Sequence, residues 1–177
     1  MFGRTLFLSC VLLLTGCAHR IENTSEKTQR IDHLRTTLQQ LAPTSTPQAA
    51  QQLAEVAVDT SEQLRKNYGV TLAPWLHNIE VNSGTKQRGL CYHYAKDLSA
   101  AIQPFLAPYW QLHRVQAHPK QLLEHNALVI TGKDQSWQSG IVLDAWRNAG
   151  VLYFGAVTND KYPWQLKPNK KPAEAGF

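Results

Sequence analysis

Three residues of the 177-residue chain have the types that thiol chemistry requires: Cys91, His125 and Asp144. A thiol attacks only as thiolate, and the start of a helix lowers its pKa because unpaired amide N–H groups and the dipole favour negative charge. Leu90, Tyr94, Leu98, Ile102 and Phe105 recur at helical spacing, and Pro104 and Pro108 mark an exit. A helix over about 90–103 is therefore expected, with Cys91 in its first turn. The thiol also needs a base within hydrogen-bond reach, normally histidine, whose far nitrogen is held by a carboxylate or amide. His125 and Asp144 are the candidates.

The elements that must position them change character beyond Pro108. Runs at 109–116, 126–131, 140–146 and 151–157 are short and rich in β-branched and aromatic residues, with turn signals at Gly132-Lys133-Asp134 and Asn148-Ala149-Gly150. They read as an antiparallel meander. If 126–131 and 140–146 form a hairpin centred near 135 or 136, position 125 falls opposite about 146. Asp144 is then a diagonal neighbour on the same face, at roughly 7–8 Å between backbones. A slip of one residue would separate the pair.

Upstream, Ile31, Leu34, Leu38 and Leu41 mark a short amphipathic helix after a polar, aperiodic stretch at 18–30 that suits a tether. Thr46 and Pro47 read as the cap and first position of a second helix with Ala50, Leu53, Ala54, Ala57 and Leu64 on one face, and Gly69 is placed to end it. Residues 70–89 read as mostly loop. Helices first and strands after give an α+β domain with no internal repeat.

The first residues read as an export signal rather than fold. Arg4 opens the segment, Leu6–Leu14 forms its apolar run, and Leu14-Thr15-Gly16-Cys17 resembles the bacterial lipobox, in which the cysteine thiol takes a diacylglycerol. The run is too short for the roughly 20 apolar residues of a spanning helix. The expected organisation is a signal peptide at 1–16, a lipidated tether and short helix at 17–45, and a domain at 46–177 with a basic C-terminal tail. Ala18 after the cysteine resembles the signal for the outer membrane, so the domain is expected in the periplasm. Cys10 would leave with the signal and Cys17 would carry lipid, making Cys91 the one free thiol of the mature chain. The net charge of +5 is mild, and Lys161, Lys167, Lys170 and Lys171 gather near the C-terminus as a solvated tail. The basic residues form no stripe interleaved with aromatics, so nucleic acid is not an expected partner.

Arg88-Gly-Leu-Cys-Tyr-His-Tyr-Ala-Lys-Asp-Leu98 resembles the cysteine-helix motif of transglutaminase-like and papain-like proteins. Glu124-His125-Asn126-Ala127 resembles their histidine strand, and Leu143-Asp144-Ala145-Trp146 their aspartate strand. The resemblance covers about residues 70–165. It implies a papain-like core, with the cysteine at a helix start packed on an antiparallel sheet. It also implies that Cys91 attacks an amide or ester carbonyl, His125 moves the proton and Asp144 orients the imidazole. The backbone N–H of Cys91 is one expected oxyanion donor, and Gln87 is a second, by likeness to the upstream glutamine of papain-like enzymes. Tyr92 and Ala145 depart from the pattern, standing where many members have tryptophan and proline.

Other readings sit beside this one. Cys91 shares helical spacing with Ala95, Leu98 and Ile102, so it could be an inert core thiol. His93 could join a metal site, but residues two apart on a helix point to different sides, and neither metal nor cofactor is expected. Trp110, Trp137, Trp146 and Trp164 read as core or cleft, with Trp146 placed to shield the dyad. The functional expectation is a lipid-anchored cysteine peptidase or amidase, with hydrolysis favoured over transfer because no acyl-acceptor site is legible. Its partners would be the membrane, through Cys17, and a peptide or protein substrate. The alternative is an inactive transglutaminase-like binding or accessory module of the cell envelope.

Overall fold

A computed structural model of the chain describes residues 23–71 and 73–168. The signal segment, Cys17, Lys170 and Lys171 lie outside the described residues.

Helix α1 (Thr24–Leu41) opens with a reciprocal cap: Asn23 Oδ1 accepts from the Glu26 amide at 2.9 Å, and Glu26 Oε2 accepts from the Asn23 amide at 3.1 Å. The helix therefore begins within the stretch read as tether, set by polar capping that apolar period does not register. Leu34 and Leu38 bury its inner face, so α1 is part of the folded body. Helix α2 (Pro47–Asn67) starts as expected, with Thr46 Oγ1 accepting from the Ala49 amide and Pro47 in first position. Gly69 ends it with φ of +64°, a conformation that suits glycine.

Helix α3 (Pro74–Asn82) corrects the loop reading of 70–89. Its one buried side chain is His77, while Trp75 and Ile79 are exposed, so no apolar stripe marks it in the sequence. Helix α4 (Cys91–Ile102) matches its expected bounds to within a residue and buries Tyr94, Leu98 and Ile102.

Five strands follow: β1 (Trp110–Ala117), β2 (His125–Gly132), β3 (Ile141–Asp144), β4 (Tyr153–Ala156) and β5 (Gln165–Leu166). They form one antiparallel sheet in the order β4-β3-β2-β1-β5. The first four are the expected meander. The two-residue β5, which the sequence reading lacks, returns along β1 with Val115 opposite Leu166. Among the described residues the result is an α+β fold of four α-helices and a five-stranded antiparallel sheet.

Strand β2 is buried at every position because both sheet faces are covered. Leu128, Ile130, Ile141 and Leu143 face a core shared with Leu34, Leu38, Leu53, Leu98 and Ile102 of the helices. Val115, Ala117, Ala127, Val129 and Val142 face a second, smaller core closed by Val157 and Trp164. Pairing of Leu128 with Leu143 and Ile130 with Ile141 sets the central register. Continued along both strands, it puts 125 opposite 146, as the hairpin reading expects.

Candidate active site

The start of α4 is built by residues around Cys91 rather than by an ordinary capping side chain. Gly89 has φ of +125°, and a Cβ there would lie 2.2 Å from His77 Nε2. The His77 ring instead bridges the Arg88 carbonyl and the Glu80 carboxylate, each at 2.9 Å. The Arg88 guanidinium reaches Asp97 Oδ2 at 2.6 Å, and Tyr68 donates to the same oxygen at 2.7 Å. His93 Nδ1 accepts from the Gly89 and Leu90 amides, both at 3.2 Å. Burial and the Arg88 charge lower the His93 pKa, which suits a ring nitrogen acting as acceptor. The chain is thus pinned from α2 and α3 on one side and from α4 on the other. Among the described residues, no group of three or more His, Cys, Asp or Glu is placed to hold a metal ion.

His125 opens β2 and Asp144 ends β3, on the sheet face that carries Val129 and Val142. His125 Nε2 donates to Asp144 Oδ2 at 2.6 Å. Asp144 is held further by a tight turn, its Oδ1 accepting from the amides of Trp146 at 3.1 Å and Arg147 at 3.0 Å. Arg147 Nε donates to Oδ2 at 3.0 Å, and its Nη2 reaches Asp160 at 2.8 Å. Burial pushes the Asp144 carboxyl up, but His125 and Arg147 outweigh it and hold the group below the usual aspartate value. Rings of Trp146, Tyr162 and Trp164 enclose the imidazole, with centroids 4.8, 4.6 and 5.4 Å away. Trp146 is also tied to α3, its Nε1 donating to Asn78 at 3.1 Å. Trp110 belongs to the helix-side core and donates to the Leu38 carbonyl.

The three residues that the sequence singles out are brought together and buried, at 9% exposure for Cys91, 3% for His125 and 2% for Asp144. His125 Nδ1, the ring nitrogen not used by Asp144, is buried without a well-aligned partner, and the Cys91 thiol is the acid coupled to this ring. Burial pushes the thiol up, yet the neighbouring His125 imidazolium and the Asn126 contacts outweigh burial and set its pKa below the ordinary thiol value. Burial lowers His125, while Asp144 and then Cys91 raise it, to about 9. Both shifts run in the direction that favours a thiolate–imidazolium pair.

Asn126 is not among the site residues that the sequence singles out, although it stands inside the histidine-strand motif. Its Nδ2 donates to Cys91 Sγ at 3.8 Å and to Glu124 Oε1 at 3.1 Å, while its Oδ1 accepts from Lys167 Nζ at 2.5 Å. Lysine can only donate, so Lys167 fixes the amide with its NH₂ toward sulfur. Lys167 is therefore a site neighbour just beyond β5, a correction to its reading as tail. The thiol itself points to the Glu124 carbonyl at 3.9 Å. Gln87 is exposed in the loop before α4, and among the described residues no hydrogen bond ties it to the other three. Arg147 and Tyr162 are likewise site neighbours that the sequence does not single out. Arg147 lies three residues after Asp144, a spacing that suits an Asx turn, whereas Tyr162 arrives only through tertiary packing.

No known protein family, curated protein or solved structure matches the chain. Thiol, imidazole and carboxylate are the three groups that nucleophilic acyl chemistry uses.

Proposed function

We propose that this chain is a thiol hydrolase of the transglutaminase-like, papain-like superfamily, cleaving an amide or peptide bond through a thioester on Cys91. The observation that carries the reading is a buried helix-start thiol gathered with a buried histidine whose Nε2 is fixed by a buried carboxylate. The order Cys91, His125, Asp144 and the packing of α4 against β2 support the superfamily assignment.

In the forward step the Cys91 thiolate attacks the carbonyl carbon, forming a C–S bond and moving the carbonyl electron pair onto oxygen. The Cys91 amide, at the first position of α4 and free of an intrahelical partner, and Asn126 Nδ2 are donors available to that oxyanion. As the tetrahedral species collapses, the C–N bond breaks and the His125 imidazolium gives its proton to the departing amine. Water then adds to the thioester, His125 takes its proton, and the C–S bond breaks to release the acid and restore the Cys91 thiolate beside the His125 imidazolium. Asp144 keeps one tautomer and stabilises the imidazolium throughout.

Anchoring through lipid on Cys17, in the cell envelope and facing the periplasm of the outer membrane, is part of the same proposal. Among the described residues no helix is long and apolar enough to cross a membrane.

The burial of Cys91 favours one second reading, a binding module that keeps the fold without turnover. p-Nitrophenyl acetate separates the two. The hydrolase reading expects a burst of p-nitrophenol stoichiometric with enzyme and an acetyl thioester mapped to Cys91 by mass spectrometry. The thioester should decay in water and be absent from Cys91→Ala. A native protein that forms no such adduct, while its unfolded form still reacts at Cys91, is the binding module.

A further inference from the structure

Resting on the hydrolase reading and deepening it, we propose that the cavity beside Cys91 is a subsite for a carboxylate, so that the substrate is an acidic peptide with its anionic group flanking the scissile amide. The cavity, of about 200 Å3, is lined by Tyr92, Lys96, Arg114, Asn126 and Lys167 together with small apolar side chains. Tyr92 follows the nucleophile directly, and Asn126 touches both the sulfur and Lys167, so the wall of the cavity is continuous with the reacting thiol. Whole-ligand pockets span roughly 300–1,000 Å3, so this space suits one side-chain-sized group.

The charge of the wall selects that group. Lys96 and Arg114 have no carboxylate within 4.0 Å among the described residues, and neither takes part in a described side-chain hydrogen bond. They stand on different elements, α4 and β1, and line the same space. Among the described residues, the acid in reach of this wall's Lys167 is Glu124, and it is already engaged: Oε2 accepts from the Lys120 amide at 2.8 Å and Oε1 from Asn126, 3.9 Å from Lys167. Two uncompensated cations around a small cavity next to a nucleophile form an electrostatic seat for an anion. Elsewhere in the site, by contrast, Arg147 is fully matched by Asp144 and Asp160.

Iodoacetate and iodoacetamide differ by a carboxylate against an amide and read this seat through the rate at which each alkylates Cys91. The quantity measured is the iodoacetate to iodoacetamide rate ratio at low ionic strength, divided by the same ratio for glutathione. Replacing both cations, Lys96→Gln with Arg114→Gln, is expected to lower the ratio about fivefold, as two unit charges several ångströms away in a water-like medium require. Added salt is expected to lower the wild-type ratio as well. Lys133→Gln, on an exposed turn away from the cavity, serves as the control and should leave the ratio in place. If Cys91 reacts with iodoacetamide in a His125-dependent manner but the ratio is the same in wild type and double variant, the subsite is wrong and the hydrolase reading stands. If iodoacetamide labelling does not depend on His125, both are wrong.

Discussion

The two flanks of Cys91 are built on opposite rules. On the sheet side, His125, Asp144, Arg147 and Asp160 form a chain of matched charges, walled by Trp146, Tyr162, Trp164 and Tyr153. On the other side lies a small open cavity with Lys96 and Arg114 unmatched among the described residues. Buried charge must be paired to be tolerated, whereas solvated charge can stay free to meet a ligand. The dry flank therefore sets reactivity, and the wet flank can set selection without threatening the fold.

Breaking the dry flank should have the largest effect. Asp144→Ala leaves His125 and Arg147 buried without their shared carboxylate, and a loss of about 3–5 kcal/mol in urea unfolding is expected. The milder Asp144→Asn should keep more of the fold while lowering acylation by about 10,000-fold, because the imidazole loses its orienting acceptor. Pre-steady-state p-nitrophenyl acetate kinetics check this, and a loss under tenfold would remove Asp144 from the machinery.

Asn126 joins the two flanks, and its replacement should have an intermediate effect. Asn126→Ala is expected to slow acylation roughly 100-fold, as for loss of one oxyanion donor. Lys167→Ala should have the same sign and a smaller size, since it acts by holding the amide. Equal and large stability losses in both variants, with acylation of the folded fraction unchanged, would make this a structural bridge only.

Gly89→Ala tests the platform beneath the thiol. With φ of +125° and His77 2.2 Å from the added Cβ, it should cost about 1–3 kcal/mol in a thermal melt and reduce Cys91 reactivity in the folded fraction. At the small end, Lys96→Gln with Arg114→Gln should change stability by no more than about 0.5 kcal/mol, because both are exposed. A large loss there would mean that the wet flank is also structural.

The same contrast governs what the sequence reveals. Helices α2 and α4 are legible because a cap or an apolar stripe marks each, and the β2–β3 register is legible because the centre of the intervening loop fixes it. That register is why His125 and Asp144 can be paired from strand pattern alone. Helix α3 is silent, since it inserts the polar His77 and leaves Trp75 and Ile79 outside. Strand β5 is too short to carry a period, so Lys167 reads as tail although it completes the site. Asn126 lies in a legible strand, but its aim at sulfur depends on Lys167, which arrives through a tertiary return. Local pattern thus discloses the reacting groups and conceals much of what holds them.

The central claim is that Cys91 and His125 form a thiolate–imidazolium pair, and the pH dependence of iodoacetamide alkylation tests it most directly. The Cys91 pKa is lowered, so thiolate persists as pH falls below the ordinary thiol value, until the folded pKa is crossed. The His125 pKa is raised to about 9, so the stabilising imidazolium is present at neutral pH and is lost as pH rises through that value. The wild-type midpoint should lie below that of an ordinary thiol, whereas in His125→Ala it should move up toward or above about 8.5. A wild-type midpoint already at the ordinary thiol value, unmoved by His125→Ala, would contradict the account.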